Sequence, residues 1–156
     1  MSYKIKTKYD KQGVYAIICI RKMRCYVGSS QNIFKRAKNH KSLLEHGKHH
    51  VKELQADYDK GYNLEFVLLE KTSFYKECYL HLHEYTCMYK MLCDDFNLYN
   101  KLCVKGKNNL EKRLYLADTI ANRFSSLYCE NVHDIVDKNY HGLAGYKISY
   151  SHNKIE

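Results

Sequence analysis

Three residues of the 156-residue chain have types and positions that could do chemistry. Glu84 lies in an apolar-rich stretch, residues 75–92, that holds neither Gly nor Pro and reads as one long helix. At helical spacing its neighbours are Leu80, Cys87, Met88 and Met91, so a carboxylate is set into an apolar stripe, where an unpaired charge is expensive. It requires a cation, either a Lys or Arg in a salt bridge or a metal ion. Arg36 and His40 are one turn apart on another predicted helix. They fall on the strip beside the apolar stripe of Ile33, Ala37 and Leu44, not opposite it with Lys35, Lys38, Ser42 and Glu45. Such a pair stands at the edge of a core, lining a cleft. On a basic helix the ordinary roles are a solvated face or phosphate contacts.

The charge distribution favours a polyanionic partner. Residues 1–60 carry fourteen Lys and Arg against five Asp and Glu, whereas residues 61–156 carry twelve of each, so the whole formal charge of +9 sits in the first 60 residues. Codon bias toward lysine would spread the charge evenly; a one-sided field recruits nucleic acid and releases its counterions. The seven cysteines are an odd number and none forms a CxxC pair. They read as reduced thiols of an intracellular protein, with no signal peptide and no apolar run long enough for a membrane. Cys87 and Cys93 beside His81 and His83 lack the knuckle spacing of a structural zinc site.

The positioning elements follow from periodicity. Residues 1–12 are polar and basic and read as a flexible lead-in. The core begins at Gly13 with the β-branched run Val14 to Ile20, followed after a basic connector by Cys25-Tyr26-Val27; two runs so close pair as an antiparallel hairpin. Gly28-Ser29-Ser30 ends the second strand, and Ser30 is placed to cap a helix running to about His46 and stopping at Gly47. A helix over about 51–60, a strand at 64–69 and the Glu84 helix complete the pattern. Beyond Asn100, Leu110, Leu114, Ala117, Ala121, Phe124 and Tyr128 form an amphipathic stripe; a helix near 132–140 and a strand at 146–150 follow.

Gly13-Val14-Tyr15, Tyr26-Val27-Gly28, Arg36 and His40 together resemble the GIY-YIG nuclease signature, with Val in both Ile positions. Later residues fall where that family has its own: His49, Glu84, and the Tyr99-Asn100 pair. Gly47-Lys48-His49-His50 with Leu54-Gln55, and Leu68-Leu69-Glu70, are similar to phage and intron-encoded members. The resemblance implies a small α+β domain over residues 13–102, with a three-stranded, mainly antiparallel sheet in the order β-β-α-α-β-α. Residues 103–156 are then a mainly helical extension.

It also implies a metal-dependent endonuclease that hydrolyses phosphodiester bonds in DNA, of the homing or mobile-element kind. Glu84 would be the single protein ligand of Mg²⁺ or Mn²⁺, which suits an ion that keeps several waters. Arg36 would neutralise charge on the phosphate. Tyr15 would be the general base, with His40 taking or sharing its proton, and Tyr26 would hold the water or the phosphate; the two tyrosines can exchange these roles. Asn100 would brace the site. His49, Lys35, Lys38, Lys41 and Ser29 would contact the phosphate backbone. A repair or restriction nuclease with the same core, and a basic DNA- or RNA-binding protein that does not cut, are the competing readings. Because one active site cuts one strand, a double-strand break needs either a homodimer or two successive events.

Overall fold

A computed structural model describes residues 2–101 and 104–124. Its centre is a strand apolar at every position, β2 (Gly13–Cys19), buried along its whole length. A continuous apolar run of this kind requires cover on both faces. Val14, Ala16 and Ile18 join one core and Tyr15, Ile17 and Cys19 the other. The first core is closed by α3 (Glu77–Cys93), with α4 (Asn109–Arg123) packed behind it; the second is closed by α1 (Ile33–Glu45) and α2 (Lys52–Asp59).

The hairpin of β2 with β3 (Arg24–Ser30) forms as its spacing predicts, with Tyr15 opposite Gly28 and Ile17 opposite Tyr26. β4 (Asn63–Lys71) pairs antiparallel with the other edge of β2, with a register shift between Val14 and Tyr15. The sheet is larger and more mixed than three antiparallel strands. It has five, in the order β1-β4-β2-β3-β5, where β1 (Ser2–Ile5) and the two-residue β5 (Asn97–Leu98) each run parallel to their neighbour.

The loose lead-in is corrected by β1. Tyr3 is buried in the α1-side core and its hydroxyl donates to the Ala37 carbonyl at 3.0 Å, while Ile5 packs against the same cluster. A Tyr-Lys-Ile alternation is too short to stand out in a lysine-rich stretch, yet it buries every second side chain on the sheet. Gln12 then anchors the return, its amide bonded to Thr72, Phe74 and Gln31. Asn32, not Ser30, caps α1, accepting from the Lys35 amide at 3.0 Å. Ser30 remains in the strand, and its hydroxyl bonds the Asn32 backbone.

α4 follows the expected helix but packs through a stripe that shares only Phe124 with the expected one among the described residues. Leu116 and Phe124 are buried with Ile120 against them, whereas Leu110 and Leu114 are 58% and 60% exposed. The expected helix near 132–140, the strand at 146–150 and Tyr128 lie outside the described residues. Among the described residues five cysteines are free and no helix is long and apolar enough to cross a membrane.

Candidate active site

β2 aims Tyr15 at α1. Its ring is fully buried and stacked on Phe66 with centroids 4.6 Å apart. The hydroxyl sits 2.7 Å from His40 Nε2 and accepts from Arg36 Nε at 3.3 Å. The register places Gly28 beneath that hydroxyl, and a Cβ there would stand 2.5 Å from Oη and 2.6 Å from Cζ. The glycine of the second tripeptide is thus the space in which the first tyrosine's hydroxyl lies. Gly13 is constrained similarly, because a Cβ on it would meet the Glu70 carbonyl at 2.5 Å. Tyr26 is half-buried, its ring 6.3 Å from Tyr15. Burial raises the pKa of both phenols; Tyr26 is pushed further by the Glu84 charge, and Tyr15 is partly offset by Arg36.

The helical wheel sets Arg36 and His40 at the core's edge, and Arg36 is there, half-buried and held cationic by its bond to Tyr15. His40 lies deeper, 1% exposed. Behind it is His49, also buried, with its Nε2 2.8 Å from His40 Nδ1 and the rings stacked at 5.0 Å. His49 Nδ1 accepts the Val51 main-chain N–H at 3.1 Å. Gln55 on α2 locks this turn by accepting from the His49 amide at 3.1 Å and donating to Leu44 O and Asp59 Oδ1. Both ring nitrogens of His49 are therefore used inside the protein. Burial, then the neighbouring histidine, pushes His40 down to about 3 and His49 down to about 4, so both are neutral at pH 7.

Glu84 reaches the same place from the opposite core. It accepts the Ser29 hydroxyl at 2.5 Å, and no ion pair to it occurs among the described residues. Burial raises its pKa against the pull of Ser29, His81, Arg123 and Arg36. A cavity of about 250 Å³ is lined by Tyr15, Tyr26, Ser29, Arg36 and Glu84, and a second of about 540 Å³ adjoins it through Tyr26 and Glu84. No cluster of three or more His, Cys, Asp or Glu fit to hold a metal occurs among the described residues. The donor set fits a hard cation that takes one carboxylate from the protein and fills its shell with other oxygens.

Asn100 braces a strand edge. Its side chain accepts from Val27 N at 2.9 Å and donates to Val27 O at 2.8 Å, continuing the ladder that β5 leaves at Cys25. Lys35, Lys38 and Lys41 are exposed and line neither cavity. His83 turns away to pair with Glu70 at 3.0 Å, but His81 and Glu77 line the smaller cavity. Sequence reasoning set both histidines aside; the signal for His81 was its position one turn before Glu84. His50, also outside the expected set, lines the larger cavity with its ring 6.0 Å from Tyr26.

A small mixed sheet between helices, with a guanidinium, two phenols and the half-buried Glu84 carboxylate at one end, defines an enzyme domain of α+β class. Residues 11–86 match the family model of the GIY-YIG catalytic domain, and this domain of the chain belongs to that family. It is a nuclease of the GIY-YIG type, a hydrolase that acts on DNA. Nucleases of this family generally use divalent metal ions. Neither a search of curated proteins nor one of solved structures returns a match.

Proposed function

We propose that this chain is an endonuclease that hydrolyses DNA phosphodiester bonds with one divalent ion, Mg²⁺ or Mn²⁺, for which Glu84 is the single protein ligand. When bound, the ion supplies positive charge to the phosphate and to the departing 3′ oxygen. The observation that carries the reading is one pocket presenting Tyr15, Tyr26, Arg36 and the Glu84 carboxylate, which forms no ion pair among the described residues.

Tyr15 acts as the general base. Its proton leaves to water in the pocket; the phenolate then takes a proton from the nucleophilic water as that oxygen bonds to phosphorus and the P–O3′ bond breaks. Arg36 stabilises the phenolate through Nε and presents its remaining N–H donors to the non-bridging oxygens. Tyr26 orients the water or the phosphate. Asn100 holds the strand carrying Tyr26, and Lys35, Lys38 and Lys41 add attraction for the DNA backbone without touching the reacting atoms.

Purified protein should nick plasmid DNA with Mg²⁺ or Mn²⁺, while Glu84→Ala should bind DNA without cutting it. Cleavage that survives the substitution, or chelation by EDTA, refutes the metal reading. Loss of cutting in Tyr26→Phe but not in Tyr15→Phe moves the base to Tyr26, a reading favoured by its lesser burial. The likeness of residues 47–55 to phage and intron-encoded members extends the proposal to a mobile-element nuclease. Sequenced cut ends clustered at one site support that, and scattered ends refute it.

A further inference from the structure

Five groups beside the site form one continuous hydrogen-bonded line: the Val51 main-chain amide, His49, His40, Tyr15 and Arg36. Its direction is fixed at one end. A main-chain N–H can only donate, so His49 Nδ1, which receives it at 3.1 Å, carries a lone pair. A neutral imidazole has one proton, which in His49 must then be on Nε2. That Nε2–H faces His40 Nδ1 at 2.8 Å, so His40 Nδ1 is the acceptor and His40 in turn carries its proton on Nε2. The last link, at 2.7 Å, is therefore donated by His40 to Tyr15 Oη. With Arg36 Nε–H also donating to that oxygen, the tyrosine's own proton is turned away from both toward the pocket that Tyr15 lines.

We propose that the Val51 amide sets a one-way donor relay through His49 and His40 that ends on Tyr15, making His49 a positioning residue for the base rather than a phosphate contact. This rests on the nuclease reading with Tyr15 as base, and it reverses one expectation drawn from the family resemblance. His40 already holds a proton on the nitrogen that would have to receive the phenolic one, so it stabilises the phenolate as a donor and does not take its proton. Running the relay backward would put a proton on His49 Nδ1, pointing at the Val51 N–H. The fold guards against that reversal, because Gln55 holds the backbone of the same turn by accepting from the His49 amide, while its own amide group is anchored on Leu44 O and Asp59 Oδ1. Both histidines are buried and neutral, as a tautomer argument requires.

The relay is read directly by long-range ¹H–¹⁵N correlation spectra of the full chain at pH 7. Both His40 and His49 should show a protonated Nε2 and an unprotonated Nδ1. An Nδ1-protonated form of either residue overturns the proposal, whatever the protein does to DNA. A kinetic arm follows. His49→Phe, which keeps a flat ring without nitrogen, should lower kcat for plasmid nicking roughly tenfold with KM for DNA within twofold. His49→Gln, whose amide nitrogen can stand in for Nε2–H, should recover part of that loss. A rise in KM at constant kcat would mark His49 as a phosphate contact and overturn the relay's role. If the wild-type chain cuts no DNA, the nuclease reading fails while the spectra still decide the relay.

Discussion

Replacing Gly28 by Ala tests how closely the two hairpin tripeptides are fitted to each other. The added methyl would lie 2.5 Å from Tyr15 Oη, 2.6 Å from Cζ and 3.1 Å from Cε1, where ordinary contact begins at 3.4 Å. Something must move by about 1 Å. The ring cannot retreat easily, because it is fully buried, stacked on Phe66 at 4.6 Å and edged by His40 at 5.4 Å. Overpacking of this kind costs about 1–3 kcal/mol, and displacing a reacting group by about 1 Å lowers a rate roughly 10²-fold. The hydroxyl would also lose its alignment with His40 Nε2 and Arg36 Nε. Urea unfolding midpoints report the first effect and plasmid-nicking rates the second. Gly61→Ala is the control: nothing lies within 4 Å of its Cβ, but φ is 88°, so it should cost roughly 1 kcal/mol of stability and leave cutting intact. If Gly28→Ala unfolds like the wild type and cuts within threefold of its rate, the close approach of Gly28 to Tyr15 is not what that glycine serves.

Two further outcomes follow from the buried titratable groups. Glu84 holds its proton more tightly in the fold than its ordinary value of 4.5 allows, so its contribution to stability is full below that value and lost as pH rises through the raised one. Glu84→Gln should therefore stabilise the metal-free protein at pH 7, and added Mg²⁺ or Mn²⁺ should raise the Tm of the wild type but not of the variant; a metal-dependent shift in both would remove Glu84 from the metal site. His40 and His49 act in the opposite sense. Depressed from 6.5 to about 3 and about 4, they leave the unfolded chain binding more protons as pH falls below 6.5, and stability falls with them. The slope between pH 6.5 and 5 should approach about 1.4 kcal/mol per pH unit for each histidine. Urea midpoints across that window should flatten in the double variant His40→Gln/His49→Gln, and a flat wild-type profile would refute the burial argument.

How far the site could be read in advance depended on whether a residue's environment was local. Glu84 was legible because its apolar neighbours lie within a turn or two of it on one helix, and the structure buries Leu80, Cys87, Met88 and Met91 around it. The direction of Arg36 and His40 was legible for the same reason. Their depth was not, because His40 is covered by His49 from a loop and Phe66 from β4. β1 and β5 escaped notice because each is short and gains its partners from a distant strand. The meaning of Gly28 needed the cross-strand register, which no tripeptide contains.

The site also depends on what the sheet leaves open. Odd-numbered residues of β2 face α1 and even-numbered ones face α3, so Tyr15 and Glu84 belong to opposite layers and can share a pocket only around a strand edge. β5 pairs with β3 only at Arg24 and Cys25, and the Asn100 amide stands in for a strand at Val27. From Gly28 onward no sixth strand covers β3 among the described residues, and there Ser29 reaches Glu84. Had β5 continued alongside Gly28 to Ser30, its backbone would occupy the path by which Glu84 approaches the tyrosines. A two-residue strand ended by an asparagine side chain leaves that path free while keeping Tyr26 and Gly28 in register. The shortness that hid β5 from sequence reasoning is thus the property that lets the carboxylate and the phenols meet.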